Sequence, residues 1–473
     1  LARSIVKKFD CKHVFTLTGG GAMFLNDAFG NEKTLSAIYC HHEQAASMAA
    51  VGYAKLNGFA TCVTTTGCGA TNTLTGLLDA WQDNVPILYI SGQVKKKETS
   101  YLLDNKIRAF GVQEANIIPI VKSITKKAYF INSLEAYKEF LFNLQGDLFS
   151  GRPGPVWADI PMDLQSLNLS NVEISSLDKI LDESINKKEN ESYSFDIELS
   201  KLINLLNKSK KPIFLIGNGL RLSNHGKGIE KLKEISLKLS VPIVSTYLGV
   251  DFYNIEFKNY FGVAGLKATR AANLLINNAD LVICIGTRLA TSVIGFEYNH
   301  FAPNAKKVII DIDEIEHKKP TINNFLFIKA DAYQFLNKFD SSLNEFPTVF
   351  KQWLYHSQQA YKLLPKQEQF SSQDEISIFD AVKQICLNSG NNDVIVSDAG
   401  SSYYVTSMMF SKIKNQRYVT SGAQADMGFG LPAAIGCAFA KKLNKRVHAI
   451  IGDGSFQLNL QELQTIKHYN LPI

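Results

Sequence analysis

The stretch VFTLTGGGA (14–22) opens a series of short apolar runs that decides the fold. The runs LSAIYC (35–40), ATCVTTTG (60–67) and VPILYISG (85–92) follow it, and a segment with helical periodicity comes after each run. Strands that alternate with helices in this way are typical of a parallel sheet with helices on both faces. The sequence therefore predicts a doubly wound α/β domain over residues 1–167.

Two further series of the same kind follow the first. They predict a central domain over residues 195–340 and a third domain over residues 370–473, so the fold class is α/β with three doubly wound parallel-sheet domains. The polar stretch 168–196 between the first two is interpreted as a linker. Because the chain starts at Leu1 rather than Met, in what reads as a helix already under way, we expect a few residues to be missing at the front. Because its last residues read as a new strand, we expect the third domain to be truncated. The strand runs of the later domains are KPIFLIGNG (211–219), VPIVSTY (241–247), ADLVICIGT (279–287), KKVIIDID (306–313), DVIVSDAG (393–400) and RVHAII (446–451).

Composition excludes several classes of protein. A hydrophobic fraction of 45% with 20% charged residues is normal for a globular chain. Neither an apolar run of about 18 residues nor a secretory signal is present, so we expect a cytoplasmic protein without a membrane partner. The seven cysteines form no CxxC pair, which argues against a disulfide framework or a zinc site. The net charge of +6 is spread along the chain, so nucleic acid is not an expected partner.

The most specific chemical signal is GDGSF at Gly452 to Phe456, directly after an apolar strand run. A carboxylate between a strand and the amides of a helix start suits a magnesium ion bound to a diphosphate. Asp453 is the predicted metal ligand, and Gly454 and Ser455 are predicted to approach the phosphates. Taken alone, the motif is equally typical of an ordinary turn between a strand and a helix. The side chains expected to seat this helix on the sheet are Phe456, Leu460 and Leu463.

A second signal is CHHEQAASMAAVGYAKLNG (40–58), which places Glu43 at the start of an Ala-rich helix. Because the residues of this helix are small and apolar on most sides, the helix can be closely packed and the carboxyl group of Glu43 can be buried. A Glu at a helix start is, however, usually only a favourable charge at the helix N-terminus.

Together these segments resemble the thiamine-diphosphate-dependent decarboxylase and carboligase superfamily, and most closely the acetolactate synthase (acetohydroxyacid synthase) large subunit. The resemblance runs in order over nearly the whole chain, which makes coincidence a poor explanation. The matching segments are GGGA (19–22), HHEQAA (41–46), TTTGCGATN (64–72), DNVPILYISGQV (83–94), VQEANI (112–117), GRPGPVWADIPMD (151–163), the stretch from ADLVICIGTR to VIIDID (279–313), MGFGLPAAIG (427–436) and GDGSF (452–456).

The resemblance implies a mechanism and a set of site residues. In such enzymes the Glu matching Glu43 hydrogen-bonds the pyrimidine ring of thiamine diphosphate and so promotes removal of the C2 proton of the thiazolium ring. A 2-oxo acid then loses carbon dioxide, with the cofactor as electron sink. Gln113 is the second implied catalytic residue, and Asp453 the implied Mg²⁺ ligand. The implied cofactor contacts are Gly20, Gly21, Gly400, Ser401, Ser402, Gly422, Met427, Gly452, Gly454 and Ser455.

The resemblance also implies partners. Glu43 and the diphosphate motif would come from different subunits, so we expect a homodimer or homotetramer. A small regulatory subunit is a further partner that the resemblance allows. The implied substrate is a 2-oxo acid, with pyruvate as the leading candidate.

Three departures from the family pattern bear on the acceptor and on the flavin that these synthases carry. Ser292 replaces an Arg that helps to hold flavin and acceptor, and the flavin-contacting segment is reduced to Gly265 and Thr269 within residues 265–269. Gly400 is followed by two serines where the synthases have Gln-His. FAD is therefore an open second cofactor. Acetolactate synthesis is the leading function; the alternatives are a specialised acetyl-transferring carboligase, a 2-oxo-acid decarboxylase and a pyruvate oxidase.

Overall fold

The computed structural model describes most of the chain. The predicted start of the third domain, residue 370, and part of the predicted linker lie outside the described residues. No helix in the described part of the chain is long and apolar enough to cross a membrane. The described residues are 1–104, 106–186, 193–343, 350–364, 375–413, 415–440 and 446–473. The chain divides into two compact units, Leu1–Asn190 with Asp393–Gly400 and Val419–Ile473, and Glu191–Asn392 with Ser401–Tyr418.

The first sheet has six strands in the order β2-β1-β3-β4-β6-β5, and all its strand pairs are parallel. Each of the four runs predicted as strands overlaps one strand of this sheet. The strands are β1 (His13–Thr16), β2 (Ser36–Tyr39), β3 (Ala60–Thr64), β4 (Ile87–Gln93), β5 (Lys127–Phe130) and β6 (Val156–Pro161). The helices of this part are α1 (Ala2–Phe9), α2 (Met23–Asn31), α3 (Glu43–Asn57), α4 (Cys68–Asn72), α5 (Leu74–Gln82), α6 (Ser100–Leu103), α7 (Ile117–Val121), α8 (Leu134–Phe149), α9 (Met162–Gln165) and α10 (Asn171–Asn186).

The second sheet also has six strands, in the order β12-β11-β10-β7-β8-β9. The chain winds outward in both directions from the neighbours β7 and β10, which pair in parallel and which mark the topological switch point of a doubly wound sheet. Its strands are β7 (Pro212–Ile216), β8 (Ile243–Ser245), β9 (Tyr260–Val263), β10 (Leu281–Ile285), β11 (Lys306–Asp311) and β12 (Phe325–Lys329). Its helices are α11 (Asp196–Lys208), α12 (Gly219–Leu222), α13 (Lys227–Leu239), α14 (Arg270–Asn278), α15 (Thr291–Ile294), α16 (Ala332–Ser341) and α17 (Lys351–Leu363), and α18 (Ile378–Asn388) follows them in the chain.

The third sheet has the strand order β14-β13-β15, and its β13–β15 pair is parallel. The predicted class, three parallel-sheet α/β domains, is confirmed. The elements of this part are β13 (Val394–Ser397), α19 (Gly400–Met409), β14 (Arg417–Val419), α20 (Gly430–Ala440), β15 (Val447–Ile450), α21 (Asp453–Leu458) and α22 (Glu462–His468).

Helices α3 and α20 pack with their backbones in contact, because both are rich in Ala and Gly. A Cβ atom added to Gly52 would lie 2.4 Å from the carbonyl oxygen of Ala433, and one added to Gly436 would lie 1.9 Å from that of Ala49. Residues 45–54 of α3 are all buried. The close packing expected for the Ala-rich helix is therefore present, and it fixes the position of the residues at the start of α3.

The interpretation of residues 168–196 as a linker is wrong for much of its length. Helix α10 occupies part of this segment, and its Leu181 is 1% exposed. The Lys8 ammonium donates a hydrogen bond of 2.7 Å to the hydroxyl of Ser184. The polar composition of the segment reflects an amphipathic helix that buries one narrow face.

Candidate active site

Glu43 is the first residue of α3, and its side chain is buried, with the residue 8% exposed. The side-chain amide of Asn72 donates a hydrogen bond of 3.0 Å to Oε2 of Glu43. A Cβ atom on Gly69 would lie 3.2 Å from Oε1. No ion pair neutralises this carboxyl group among the described residues. Packing and one hydrogen bond, from the Asn72 side chain, thus hold the Glu43 carboxyl group in place. A carboxyl group that acts on a bound ligand must be held in this way.

The turn that follows β3 gathers the other predicted residues of the N-terminal part. The hydroxyl of Thr65 accepts a hydrogen bond of 3.0 Å from the amide of Gly21, and Gly20 has open space where a Cβ atom would stand. Gly67 adopts a φ of 57°, and a Cβ atom there would lie 1.9 Å from the carbonyl oxygen of Gln113. The structure therefore brings the segments that contain Gly20, Gly21 and Gln113 together at this turn. Gly69, which follows Gly67, lies against Glu43.

Replacement of Gly67 with Ala is expected to destabilise the protein by at least about 2 kcal/mol, because the new methyl group combines backbone strain with a collision against Gln113. Gly58→Ala is the matched control: Gly58 also has a positive φ, 86°, but nothing lies within 4 Å of its added Cβ atom. Its cost should be about 1 kcal/mol, from backbone strain alone. Urea unfolding at equilibrium measures both values. Equal losses of stability in the two variants would contradict a collision between the new methyl group and the carbonyl oxygen of Gln113.

Asp453 is the first residue of α21 and is exposed. The first hydrogen bond inside this helix runs from the amide of Phe456 to the carbonyl of Gly452, at 2.9 Å. The amides of residues 453–455 therefore have no acceptor within the helix and can meet an anion. A Cβ atom on Gly454 would lie 3.6 Å from Cε of Met427, whose side chain is 54% exposed.

A buried aspartate that was not predicted as a site residue connects two segments that contain predicted cofactor contacts. Asp398 is 2% exposed, and its carboxylate accepts hydrogen bonds from the amides of Ala399 at 2.7 Å, Gly428 at 3.2 Å and Gly430 at 2.6 Å. It thereby ties the start of α19 to the turn after Met427. Within α19, Gly400 has a φ of 61°, Ser401 is exposed and Ser402 is buried. An Asp directly after an apolar strand run was the signal that could have revealed Asp398.

The expectation that Leu460 and Leu463 seat the C-terminal helix on the sheet is wrong. These side chains are 39% and 44% exposed, and Phe456 is only partly buried. The helix is interrupted at Asn459, because the amide of this side chain donates a hydrogen bond of 2.8 Å to the carbonyl of Gly428. The residues that α21, α22 and their junction bury are polar: Ser455, Asn459, Glu462 and Thr465.

Helix α22 touches the segment that precedes α3. Oε1 of Glu462 accepts a hydrogen bond of 2.8 Å from the amide of His41, and the Asn459 amide reaches Oε1 of Gln44 at 3.4 Å. Burial raises the pKa of Glu462.

No hydrogen bond or ion pair joins Glu43 to Asp453 in the part of the chain that the structure describes. The two predicted groups of residues are thus linked through neighbours and not directly.

The backbone amide of Gly422 already forms a hydrogen bond within the protein. It donates to Asp83 at 2.7 Å, the amide of Ala423 donates to the same carboxylate at 3.0 Å, and Lys55 forms an ion pair with it at 2.6 Å. Although burial opposes the charge of Lys55, Asp79 and Asp83 raise the pKa of this lysine. The predicted cofactor contact at Gly422 therefore cannot involve its N–H group.

The donor set around α21 fits a magnesium-bound diphosphate. An exposed carboxylate, three helix-start amides that have no acceptor within the helix among the described residues, and a glycine with room beside it are the groups that such a ligand needs. Gly452 and Gly400 likewise have nothing within 4 Å of the place where a Cβ atom would stand.

Comparison with known families assigns the class of protein. The chain matches the thiamine pyrophosphate enzyme N-terminal TPP binding domain over residues 2–120, the central domain of these enzymes over 199–339 and their C-terminal TPP binding domain over 398–473. Fold and site thus define a thiamine pyrophosphate enzyme.

Individual relatives narrow the assignment. The acetolactate synthase isozyme 2 large subunit of Escherichia coli is 31% identical over 97% of this chain and 78% of its own length. The acetolactate synthase large subunit of Lactococcus lactis is 30% identical over 100% of this chain and 79% of its own length, and a probable large subunit from Methanococcus aeolicus gives the same figures. The chain belongs to the acetolactate synthase large-subunit family and is an enzyme of that type.

Proposed function

We propose that the protein decarboxylates a 2-oxo acid, pyruvate in the first instance, and transfers the two-carbon unit to the carbonyl group of an acceptor, as an acetolactate synthase does. The observation that carries the proposal is the buried Glu43 carboxyl group at the start of α3, with Asn72 as its hydrogen-bond donor. Membership of the acetolactate synthase family supports the same reaction.

In this proposal each group of residues has one task. When bound, thiamine diphosphate supplies the electron sink for decarboxylation. The Glu43 carboxyl group holds a proton at the pyrimidine ring nitrogen, and Asn72 keeps its Oε2 in place. Asp453 ligates Mg²⁺, and the amides of residues 453–455 bind diphosphate oxygens. Met427 supplies an apolar support beside Gly454, and Gln113 faces the reacting groups from the turn at Gly67.

We further infer that two copies of the chain complete each site, because apolar side chains of the site segments are exposed. Val112, next to Gln113, is 81% exposed and Phe110 is 57% exposed. An exposed apolar patch next to a binding site is typical of a subunit interface. The other exposed apolar side chains of these segments are Met23, Phe24, Leu458, Leu460 and Leu463. A homodimer or homotetramer and a small regulatory subunit stay predictions.

The two residues that survive from the flavin-contacting segment have structural roles of their own. Thr269 is 2% exposed, and its hydroxyl donates to the carbonyl of Val263 at 2.8 Å. A Cβ atom on Gly265 would lie 2.6 Å from the carbonyl oxygen of Ser292, and the amide of Leu266 donates to that carbonyl at 2.9 Å. Both residues are needed for the turn itself. Their retention therefore gives no support to FAD, and we propose a reaction that does not depend on a flavin.

Product analysis with ¹³C-labelled pyruvate tests the proposal. The native protein, supplied with thiamine diphosphate and Mg²⁺, is expected to release carbon dioxide and form acetolactate, both followed by NMR. Carbon dioxide with acetaldehyde alone would identify a decarboxylase, and hydrogen peroxide formation would identify an oxidase. Carbon dioxide release that needs an added aldehyde, ketone or keto sugar would identify a specialised carboligase. Absence of carbon dioxide from pyruvate and from other 2-oxo acids would overturn the proposal.

A further inference from the structure

Asp159, in the carboxyl-terminal half of β6, is a buried carboxyl group outside the set described above. It is 0% exposed and has no cationic partner in the described part of the chain. Its Oδ1 accepts a hydrogen bond of 2.6 Å from the hydroxyl of Ser91, and its Oδ2 accepts one of 3.1 Å from the side-chain amide of Gln93. Both donors lie on β4, which pairs with β6. A buried carboxylate is costly unless it is hydrogen-bonded, so this position calls for an explanation.

Gln93 connects this carboxylate to two segments of the candidate site. Its Nε2 also donates to the carbonyl of Ala115 at 2.8 Å, and its Oε1 accepts from the hydroxyl of Thr66 at 2.8 Å and from the amide of Val94 at 3.0 Å. All four hydrogen-bonding positions of the amide are therefore used. Because Asp159 and Ala115 offer only acceptors, the orientation of the Gln93 amide is fixed.

The two segments that Gln93 joins are the ones that meet at Gln113. Thr66 precedes Gly67, whose close approach to the carbonyl of Gln113 leaves no room for a side chain. Ala115 lies two residues beyond Gln113 in the same segment. A change in the Gln93 amide therefore acts on both sides of the contact that places Gln113.

Asp159 is connected to the helix of Glu43 as well. The indole N–H of Trp157 donates to the hydroxyl of Ser91 at 2.9 Å, and the Trp157 ring stacks on Tyr89 with centroids 5.5 Å apart. The Tyr89 hydroxyl lies 2.9 Å from that of Ser47, which stands one helical turn after Glu43 on α3.

We propose that Asp159 is a positioning residue for the reaction: as a carboxylate it orients Gln93, and Gln93 holds the turn at Thr66 and the segment at Ala115 where Gln113 faces the site. This proposal rests on the proposed function for the role of Gln113. The hydrogen bonds themselves do not depend on that role.

Only the ionised form of Asp159 accepts hydrogen bonds from both Ser91 and Gln93. A proton on Oδ2 would face the N–H group of Gln93, so the amide would have to turn and its oxygen would leave Thr66 and Val94. A proton on Oδ1 would point at the Ser91 oxygen, which already accepts from Trp157, and the Ser91 hydroxyl would lose its acceptor. Burial raises the pKa of Asp159 to about 7, and the hydrogen bonds from Ser91 and Gln93 oppose this rise. Because the folded-state pKa exceeds the ordinary value, the carboxylate is present above about pH 7 and is lost as pH falls through that value.

Among the described residues, Tyr101 lies near Asp159, and Glu114 lies near Tyr101. Burial, with Asp159 and Glu114 nearby, raises the pKa of Tyr101 well above its ordinary value, so this phenol stays neutral. Burial opposes the charge of Glu114, but hydrogen bonds from Ser100 and Phe110 hold its pKa below the ordinary value. Neither group changes its charge near pH 7, so neither Tyr101 nor Glu114 accounts for a transition there.

The test is Asp159→Asn in the native protein, with Asp163→Asn as the matched control. Asp163 lies on the same segment but is exposed, with its carboxylate accepting from the amide of Lys96 at 3.2 Å. An Asn side chain at position 159 has one oxygen, so it can accept a hydrogen bond from Ser91 or from Gln93 but not from both through separate oxygens. We expect amide hydrogen exchange in residues 111–117 to be about tenfold faster above pH 7. We also expect kcat to fall about tenfold with KM changed less than about twofold, because binding groups stay in place while a reacting group moves.

The pH profile separates positioning from a merely structural role. In the unaltered protein, kcat and the protection of residues 111–117, corrected for intrinsic exchange, should both fall as pH drops through about 7; in Asp159→Asn this step should vanish. Unchanged exchange in the variant, or protection that is independent of pH in the unaltered protein, would overturn the proposal. The second measurement needs no variant, so it decides the matter even if Asp159→Asn does not fold. Hydrogen exchange does not depend on turnover. If the protein catalysed a different reaction, the proposed function would be wrong, but the coupling between Asp159 and residues 111–117 would still be observed.

Discussion

Replacement of Glu43 with Gln is expected to lower turnover of a 2-oxo acid at least about 1,000-fold and to leave the fold intact. Gln is nearly isosteric and can still accept the hydrogen bond from Asn72 through its oxygen. What it cannot do is exchange a proton with a ring nitrogen of a bound ligand. Proton transfer by a positioned side chain contributes about 10²- to 10⁴-fold to enzymatic rates. The measurement is the rate of carbon dioxide release under saturating substrate and cofactor.

Glu135→Gln is the control for this variant. Glu135 lies in the first turn of α8, as Glu43 lies in that of α3, but it is exposed. Both variants lose a negative charge at a helix start, which costs about 0.3 to 1 kcal/mol of stability. Full activity in Glu135→Gln together with loss in Glu43→Gln would show that turnover depends on proton exchange by Glu43 and not on a negative charge at a helix start. Near-normal turnover in Glu43→Gln would remove Glu43 from the mechanism.

Replacement of Asp453 with Asn is expected to weaken the binding of thiamine diphosphate in the presence of Mg²⁺ by about 100-fold, equivalent to about 2.7 kcal/mol. The carboxylate is exposed at the start of α21, where it can ligate the metal while residues 453–455 offer their amides to the diphosphate. An amide oxygen is a weaker ligand for Mg²⁺ than a carboxylate. Isothermal titration calorimetry with and without EDTA measures the effect.

Asp196→Asn is the matched control for the metal site. Asp196 is likewise the first residue of a helix, α11, and it pairs with Lys338 on the surface at 2.5 Å. Its replacement should leave cofactor affinity unchanged. If Asp453→Asn bound the cofactor as tightly as the unaltered protein, and EDTA had no effect on either, Asp453 would not be a metal ligand.

The strands could be predicted because each buried run combines apolar and β-branched residues over a short length between turn signals. The run ADLVICIGT contains β10 (Leu281–Ile285), all of whose residues are buried. Helix α10 was missed because only isolated residues such as Leu181 contact the core, so polar residues dominate its composition. Periodicity also failed at Asn459, where a side-chain hydrogen bond to Gly428, remote in sequence, ends a helix that spacing alone would continue.

The candidate site was predictable only in part. Glu43 and Asp453 each follow directly from a local pattern, a polar residue at the start of a helix beside a strand. Asn72, Asp398 and the pair of Asp159 and Gln93 were not singled out, although three of the four lie in segments that the family pattern contains. Their roles depend on which strands pair and on how loops meet at the sheet edge, and such long-range contacts leave no periodic signal in the sequence.

The most direct test of the central claim is the exchange of the C2 proton of bound thiamine diphosphate with D2O, followed by NMR after acid quench. It requires no choice of acceptor or of 2-oxo acid. We expect the native protein with Mg²⁺ to accelerate this exchange at least about 100-fold over the free cofactor, and Glu43→Gln to abolish most of the acceleration. Exchange at the rate of the free cofactor, with the cofactor demonstrably bound, would contradict the assignment of this site as one that activates thiamine diphosphate.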